Sequence, residues 1–216
     1  EKLTTSRTYY VRTDGSDFND GLSDSSGGAF QSLSRAVSAA TSLDSNGNFI
    51  RIHVGDGDYG DLVLYEHIGG QPITIMGNKD HPERVRVYGV GAAVFAYNAG
   101  AWLLGGMTVQ AQNGPGILCH GTTTVTLIDS FAFGEVGGAH MYAFDGASLH
   151  IACPWRITGN CIEHMHIELA GRMSASWQTC TLVDNPSVGC FVRALDCAVL
   201  TIKDAVFEGT ATGQRY

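Results

Sequence analysis

The sequence is poor in charge, in proline and in cationic side chains. Charged residues make up 16% of its 216 residues, five residues are proline, and 13 Lys and Arg stand against 21 Asp and Glu, a formal net charge of −8. Nucleic-acid binding needs clustered Lys and Arg, so this balance argues against a nucleic-acid partner. No apolar run is long enough to span a bilayer and no signal peptide is evident, so we predict no membrane insertion.

Zinc-binding patterns are also missing. The chain has no C-x-x-C pair and no His/Cys cluster, and the Asp-rich segment 14–21 lacks the spacing of an EF-hand. We therefore predict no metal site, no cofactor and free thiols of the kind found in a reducing cytosol. The six cysteines are Cys119, Cys153, Cys161, Cys180, Cys190 and Cys197.

Glycine is abundant, with 28 residues, and apolar residues reach 44%. Glycine without collagen spacing indicates many turns between short strands. Segment 1–48 combines a short strand at 8–12, the polar turn segment 14–21 and one amphipathic helix. The apolar face of that helix carries Phe30, Leu33, Val37 and Ala40.

From Phe49 onward, short alternating β runs end at Gly, Asn or Asp. The clearest are Ile50–Val54, Ile73–Met76 and Val85–Tyr88. Alternation of this kind places one side of a strand in the core and the other in solvent.

The strongest signal is an internal repeat. Its period equals the spacing from Met107 to Phe131, and some copies are one position longer, as from Trp155 to Cys180. Its first and third positions are apolar in five successive copies that begin at Met107, Phe131, Trp155, Cys180 and Ala205. Two further apolar columns follow the same period. They are Val94, Leu118, Tyr142, Ile167, Val192, and Leu104, Ile128, Ala152, Trp177, Ile202.

This period suits one coil of a parallel β-helix, in which about three short strands form each coil and stacking supplies the core. We predict an all-β fold, a right-handed single-stranded parallel β-helix with an N-terminal capping α-helix that covers the exposed end. Residues 1–48 form the strand, turn segment and cap. Residues 49–216 form about seven coils, and together they make one continuous domain.

The first quarter of the chain resembles the opening of pectate-lyase-like β-helix proteins. That resemblance is specific for the fold and weak for function, because lyases, hydrolases and non-enzymatic fibres share it. The residues that carry it are Tyr9-Tyr10-Val11, Asp14–Asp17, Asn19-Asp20-Gly21, Phe30, Leu33, Ala36-Val37, Ile52-His53-Val54 and Asp56–Tyr59.

The lead-in Glu1–Thr4 with Arg7–Val11, and the ending Ala211–Tyr216, resemble segments of phage and prophage tail fibre and tailspike proteins. The resemblance implies a virion fibre made in the host cytoplasm. It also implies a homotrimer that assembles with other phage tail proteins and meets bacterial surface polysaccharide. In those proteins the chain continues past the last segment, so we expect further residues beyond Tyr216.

The densest polar cluster is Glu163–Glu168. Ile167 belongs to an inward column, so His166 and Glu168 should point outward with His164 on their side, and Glu163 should lie on the other side unless a turn changes the alternation. Outward imidazole and carboxylate groups are candidates for carbohydrate binding or acid–base work. The alternative is a solvated outer face.

Other carboxylates give no catalytic pair from sequence alone. Asp129, Glu135, Asp145 and Asp184 have no carboxylate at the same position of the next coil, so only pairs between columns remain. Lyase chemistry is disfavoured because few basic residues follow residue 100. Catalytic residues therefore stay unknown, and a glycoside hydrolase that depolymerises polysaccharide remains an alternative to a protein without enzymatic activity.

Three tryptophans are candidates for sugar stacking. Trp155 and Trp177 fall in inward columns, which favours a core role, whereas Trp102 is predicted to lie on the surface. We accordingly expect carbohydrate contact at Trp102, His166 and Glu168. The favoured function is a structural or receptor-proximal fibre segment. The alternatives are a tailspike depolymerase and a carbohydrate adhesin without enzymatic activity.

Overall fold

The computed structural model describes residues 1–213 and is built almost entirely from short parallel strands. In the described part of the chain there is one α-helix and one short 3-10 turn, Pro82–Arg84. The elements in chain order are β1 (Arg7–Val11), α1 (Leu33–Thr41), β2 (Ile50–Val54), β3 (Gly57–Tyr59), β4 (Leu62–Leu64), β5 (Ile73–Met76), β6 (Val85–Gly89), β7 (Val94–Tyr97), β8 (Gly100–Ala111), β9 (Ile117–His120), β10 (Thr123–Val136), β11 (Ala139–Phe144), β12 (Ser148–Ile151), β13 (Trp155–Ile157), β14 (Cys161–Ile167), β15 (Arg172–Ser176), β16 (Thr179–Leu182), β17 (Val188–Ala194), β18 (Val199–Lys203) and β19 (Val206–Glu208).

The strands stack as a parallel β-helix of about seven turns, which confirms the predicted fold class. One sheet runs β1-β2-β5-β8-β10-β12-β15-β18, with the branches β3-β6-β8 and β10-β13-β16-β19. A second sheet of six strands runs β4-β7-β9-β11-β14-β17. Strands next to each other in a sheet lie about one coil apart in sequence, so each coil is completed by its neighbours.

The helix α1 lies over the N-terminal end of the stack, as predicted. It buries Leu33, Ala36, Val37 and Ala40 and contacts β1, β2 and β4. Its N-cap is Ser32, whose Oγ accepts from the Arg35 backbone N–H, which satisfies one of the free amides of the first turn.

The polar turn segment holds the start of the helix in place. The Asp17 carboxylate accepts hydrogen bonds from the backbone N–H groups of Gln31 and Ser32, at 2.9 and 2.8 Å, and from the Ser32 hydroxyl at 2.7 Å. Segment 14–21 therefore anchors the cap of the β-helix.

The core is one continuous column of apolar side chains inside the coils. The predicted column that begins at Met107 is confirmed over four coils, because Met107 pairs with Phe131, Phe131 with Trp155 and Trp155 with Cys180. In the fifth coil Cys180 pairs with Phe207, and Ala205 lies two positions before Phe207.

The other two predicted columns are wrong over part of their length, by one residue at Leu118, Tyr142, Ile128 and Ala152 and by two at Ile167 and Trp177. The second column runs Val94, Ile117, Met141, Met165, Val192, so Leu118 and Tyr142 face outward. The third runs Leu104, Leu127, Ile151, Ala175, Ile202. A shift of one residue moves a side chain to the opposite face of a strand, which explains why part of each predicted column lies outside.

Two tryptophan predictions are also corrected, and Trp177 lies outside because it follows the end of β15 in a left-handed conformation. Trp102 is 0% exposed, pairs with Ile73 and Val125, and donates from Nε1 to the Ala99 carbonyl at 2.9 Å. It lies on the same side of β8 as Leu104, so it cannot reach a sugar. Trp177 is 67% exposed with a φ of 55°. Trp155 is buried as predicted.

The six cysteines are free, as predicted, and four of them are buried.

Among residues 1–213, no helix is long and apolar enough to cross a membrane, and no group of three or more His, Cys, Asp or Glu side chains is placed to hold a metal ion. Part of the ending that resembles phage tail proteins, 214–216, lies outside the described residues.

Because Trp102 is buried and Trp177 is exposed, replacing them should reduce stability by very different amounts. Trp102→Ala should lower the free energy of unfolding by about 3–5 kcal/mol, because it leaves a cavity in a closely packed core. The matched variant Trp177→Ala should cost at most about 1 kcal/mol, since that ring is mostly exposed and is covered in part by the Lys203 ammonium. Urea denaturation measures both, and equal losses would contradict the assigned register.

Candidate functional site

The outer face of the six-stranded sheet carries two ladders of side chains that run across the coils. One contains Phe95, Leu118, Tyr142, His166 and Arg193 in strict register. Beside it lies a second ladder of Tyr97, His120 and Phe144.

Many rings in these ladders stack on each other. His120 and Phe144 are separated by 4.2 Å between ring centroids at an interplanar angle of 10°, and Tyr142 and His166 by 4.4 Å at 25°. Stacking covers part of the faces of these rings. The surface combines hydrogen-bonding groups at Tyr97, His120, Tyr142, His166 and Arg193 with apolar ones at Phe95, Leu118 and Phe144.

A polar constellation lies at the C-terminal end of the ladders and is defined by Tyr142, Glu163, His166, Glu168 and Arg193. The His166 ring lies between two carboxylates, with Nδ1 2.5 Å from Glu163 Oε2 and Nε2 3.4 Å from Glu168 Oε2. Arg193 Nη1 donates to Glu163 Oε1 at 3.0 Å, and the Tyr142 hydroxyl donates to Glu168 Oε1.

Stacking of three coils assembles this group, because Tyr142, His166 and Arg193 come from β11, β14 and β17. The His166 Nε2 atom is buried and lacks a hydrogen bond of good geometry. This nitrogen is thus enclosed within the constellation, 3.4 Å from Glu168 Oε2.

The charges of the constellation are set by its hydrogen bonds. The Tyr142 hydroxyl holds the pKa of Glu168 below its usual value, against the effect of partial burial, and His166 acts in the same direction. Burial, and then the hydrogen bond to Glu168, raises the pKa of Tyr142 to about 12. At neutral pH Glu168 is therefore ionised and Tyr142 is a protonated donor.

The sequence placed His166 and Glu168 together on the outer face, and the structure agrees. His164, expected on the same side, is fully buried, and Glu163, assigned to the other side, contacts His166. The reason is local, because Glu163, His164 and Met165 are buried one after another in β14 and the alternation is interrupted there.

A second candidate surface is a cleft on the outside of the larger sheet, at the bend inside β10. The loop 77–84 leans over this bend, since Ser130 Oγ donates to the Lys79 carbonyl at 2.6 Å and Thr108 Oγ1 to the Pro82 carbonyl at 3.0 Å. The cleft has a volume of about 250 Å³, and Lys79, Asp80, Asp129 and Arg156 are among the residues that line it.

Sequence reasoning missed this cleft because its carboxylates, Asp80 and Asp129, come from different columns. Asp129 adopts a left-handed conformation with a φ of 60° in an irregular part of β10. A usable signal was the pair Gly105-Gly106 in the preceding coil, which leaves the bend without side chains. Two of the other carboxylates considered from sequence have partners, since Asp145 pairs with His120 and Glu135 accepts from the Asn160 backbone N–H.

The fold defines the protein as a parallel β-helix protein. Comparisons with known protein families, with curated proteins and with solved structures found no match. The functional assignment therefore depends on the surfaces of the chain itself.

The pKa of Glu168 provides a direct test of the constellation. In Tyr142→Phe the main hydrogen bond to Glu168 is lost, so the pKa of Glu168 should rise toward its ordinary value. Carboxyl ¹³C NMR titration measures this change. Tyr97→Phe is the matched control, because the Tyr97 ring lies in the neighbouring ladder and stacks on His120. An unchanged pKa of Glu168 in Tyr142→Phe would show that the contact is absent in solution.

Proposed function

We propose that the protein is a rigid, receptor-proximal β-helix segment of a phage tail fibre or tailspike that contacts bacterial surface polysaccharide. The observation that carries the structural part is the unbroken pairing of parallel strands from β1 to β18, together with one continuous apolar core. A stack in which most strands are hydrogen-bonded on both sides resists bending, which suits a fibre shaft. The phage assignment itself rests on the sequence resemblance.

Polysaccharide contact is proposed at the constellation around His166 and Glu168. Sugar hydroxyls both donate and accept hydrogen bonds, and the constellation offers an ionised carboxylate, an imidazole and a guanidinium within one surface. The ladders continue from this group over two further coils, those of β9 and β7. A linear glycan that follows the fibre axis would meet a new row of side chains about every 4.8 Å, with polar groups at Tyr97 and His120 and apolar ones at Phe95 and Leu118.

The second candidate function is a depolymerase. Its active site would lie in the cleft at Asp129, which suits hydrolysis better than the constellation does. Glycoside hydrolysis needs two carboxylates about 5–10 Å apart with a sugar and often a water molecule between them. In the constellation the His166 ring occupies the space between Glu163 and Glu168. In the cleft, Asp80 and Asp129 line one open cavity with Lys79 and Arg156.

One experiment separates these functions. The purified protein is incubated with a panel of bacterial surface polysaccharides, and binding and new reducing ends are both measured. We expect binding that weakens at least tenfold in His166→Gln and Glu168→Gln, about 1.4 kcal/mol, the scale of one charge-assisted hydrogen bond, with Asp129→Asn as the matched control.

New reducing ends that disappear in Asp129→Asn would instead support the depolymerase. Binding lost only in Asp129→Asn would move the contact site to the cleft. Absence of binding to the whole panel by folded protein would contradict the proposed polysaccharide contact.

A further inference from the structure

A chain of three hydrogen bonds crosses the apolar interior near the C-terminal coils. Trp155 Nε1 donates to His164 Nε2 at 3.1 Å, the Nδ1 atoms of His164 and His140 are 3.0 Å apart, and His140 Nε2 is 3.0 Å from the Gly134 carbonyl oxygen. Both imidazoles are 0% exposed. Neither takes part in the surfaces described above.

The two ends of this chain fix every proton in it. An indole N–H can only donate, so His164 Nε2 accepts and its proton is on Nδ1. A carbonyl oxygen can only accept, so His140 carries its proton on Nε2, and its Nδ1 accepts from His164. All four ring nitrogens are thus used, and both histidines are neutral.

A further proton has no place in this arrangement. It would have to bind His164 Nε2, which faces the indole N–H, or His140 Nδ1, which faces the His164 N–H. Either site breaks one hydrogen bond and creates a charge among aromatic rings, with Phe133 and Phe191 within 5.5 Å of His164 between ring centroids. Burying a charge without a partner is strongly unfavourable.

The surrounding strands offer no compensating carboxylate in the described part of the chain. Glu163 is engaged by Arg193 and His166 outside the core, and Glu135 accepts from the Asn160 amide. Apart from the pair itself, the titratable side chains on β10, β11, β13, β14, β16, β17 and β19 are Asp129, Glu135, Tyr142, Arg156, Cys161, Glu163, His166, Cys180, Cys190, Arg193 and Glu208. Burial lowers the pKa of His140 to about 4 and, with the neighbouring His140, holds the pKa of His164 well below its usual value.

The pair also lies where the well-buried part of the β-helix meets weaker coils. His164 contacts Phe191 of β17, and Phe191 contacts Phe207 of β19, at 4.8 and 5.0 Å between ring centroids. Strands β18 and β19 contain no fully buried residue. In a repeat fold each coil is stabilised by its immediate neighbours. Loss of packing in one coil therefore destabilises the adjacent coils first.

We propose that the His140–His164 pair is an acid-sensitive latch whose protonation releases the coils from β14 onward while the N-terminal coils stay folded. The latch is independent of the proposed function. Both pKa values are lower in the folded state, so the open state binds more protons and the stabilisation is complete above about pH 6.5. It is lost as the pH falls from about 6.5 toward 4, by up to about tenfold in the opening equilibrium per pH unit for each histidine.

Hydrogen exchange measured by mass spectrometry at pH 7.5 and 4.5, corrected for the intrinsic exchange rate, tests the latch. We expect protection of residues 161–208 to fall at least about 50-fold at the lower pH, and protection of residues 50–111 to change little. Loss of protection over the whole chain together would overturn the proposal.

The double variant His140→Gln/His164→Gln is the key control. Glutamine keeps one acceptor and one donor at each position but does not titrate, so the difference between the two pH values should disappear. The matched control His53→Gln changes an exposed histidine and should behave like the native protein. Persistence of the acid-dependent loss in the double variant would assign it to other groups.

Direct titration makes the test independent of any variant. In protein labelled at histidine, NMR should show two rings that stay neutral below pH 6 and take up protons only as protection of the C-terminal coils is lost. Protonation of all eight histidines near pH 6.5 in a fully folded protein would exclude the latch.

Discussion

The hydrogen-bond ladder between successive coils is the interaction on which the rest of the structure depends. Each strand finds its partner about one coil away, so the chain must return to the same lateral position after every turn. Tight bends make this possible, as at Gly77, where a Cβ atom would lie 2.3 Å from the Gly106 carbonyl oxygen. The ladder aligns inward side chains into a core and, with equal strictness, outward side chains into rows on the surface.

Sequence periodicity was sufficient for the fold because the average coil length is nearly constant. Periodicity could not assign every residue to the correct face of its strand, because individual coils differ in length. The step from Leu104 to its partner Leu127 is one position shorter than the step from Met107 to Phe131, whereas the step from Ala175 to Ile202 is longer. A prediction that assumes a constant step therefore misplaces some residues along their strands. A displacement of one position assigns an inward residue to the outer face, or the reverse.

In the candidate site, too, some residues could be predicted from the sequence and others could not. His166 and Glu168 were found from alternation within one strand, where a local rule suffices. Their partners Tyr142 and Arg193 lie one coil before and one coil after His166, and only the true register brings them together. Trp102 was misassigned although it precedes the buried Leu104 by two positions, which was the signal for a core position. The cleft at Asp129 depends on how the loop 77–84 folds over a bend, which no periodicity reports.

One architecture thus combines a continuous ladder of parallel strands, an outer row of aligned side chains and a buried polar chain that interrupts an apolar core at one level. All three require that paired residues of successive coils lie directly above one another. Distances between pairs of spin labels on the outward row of the larger sheet test this most directly, with Thr74 as the fixed position and Ser174 or Thr201 as the second. The account predicts narrow distributions with backbone separations of about 19 Å over four coils and about 24 Å over five, a constant rise of about 4.8 Å per coil. Broad distributions, or separations that do not grow with coil number, would contradict it.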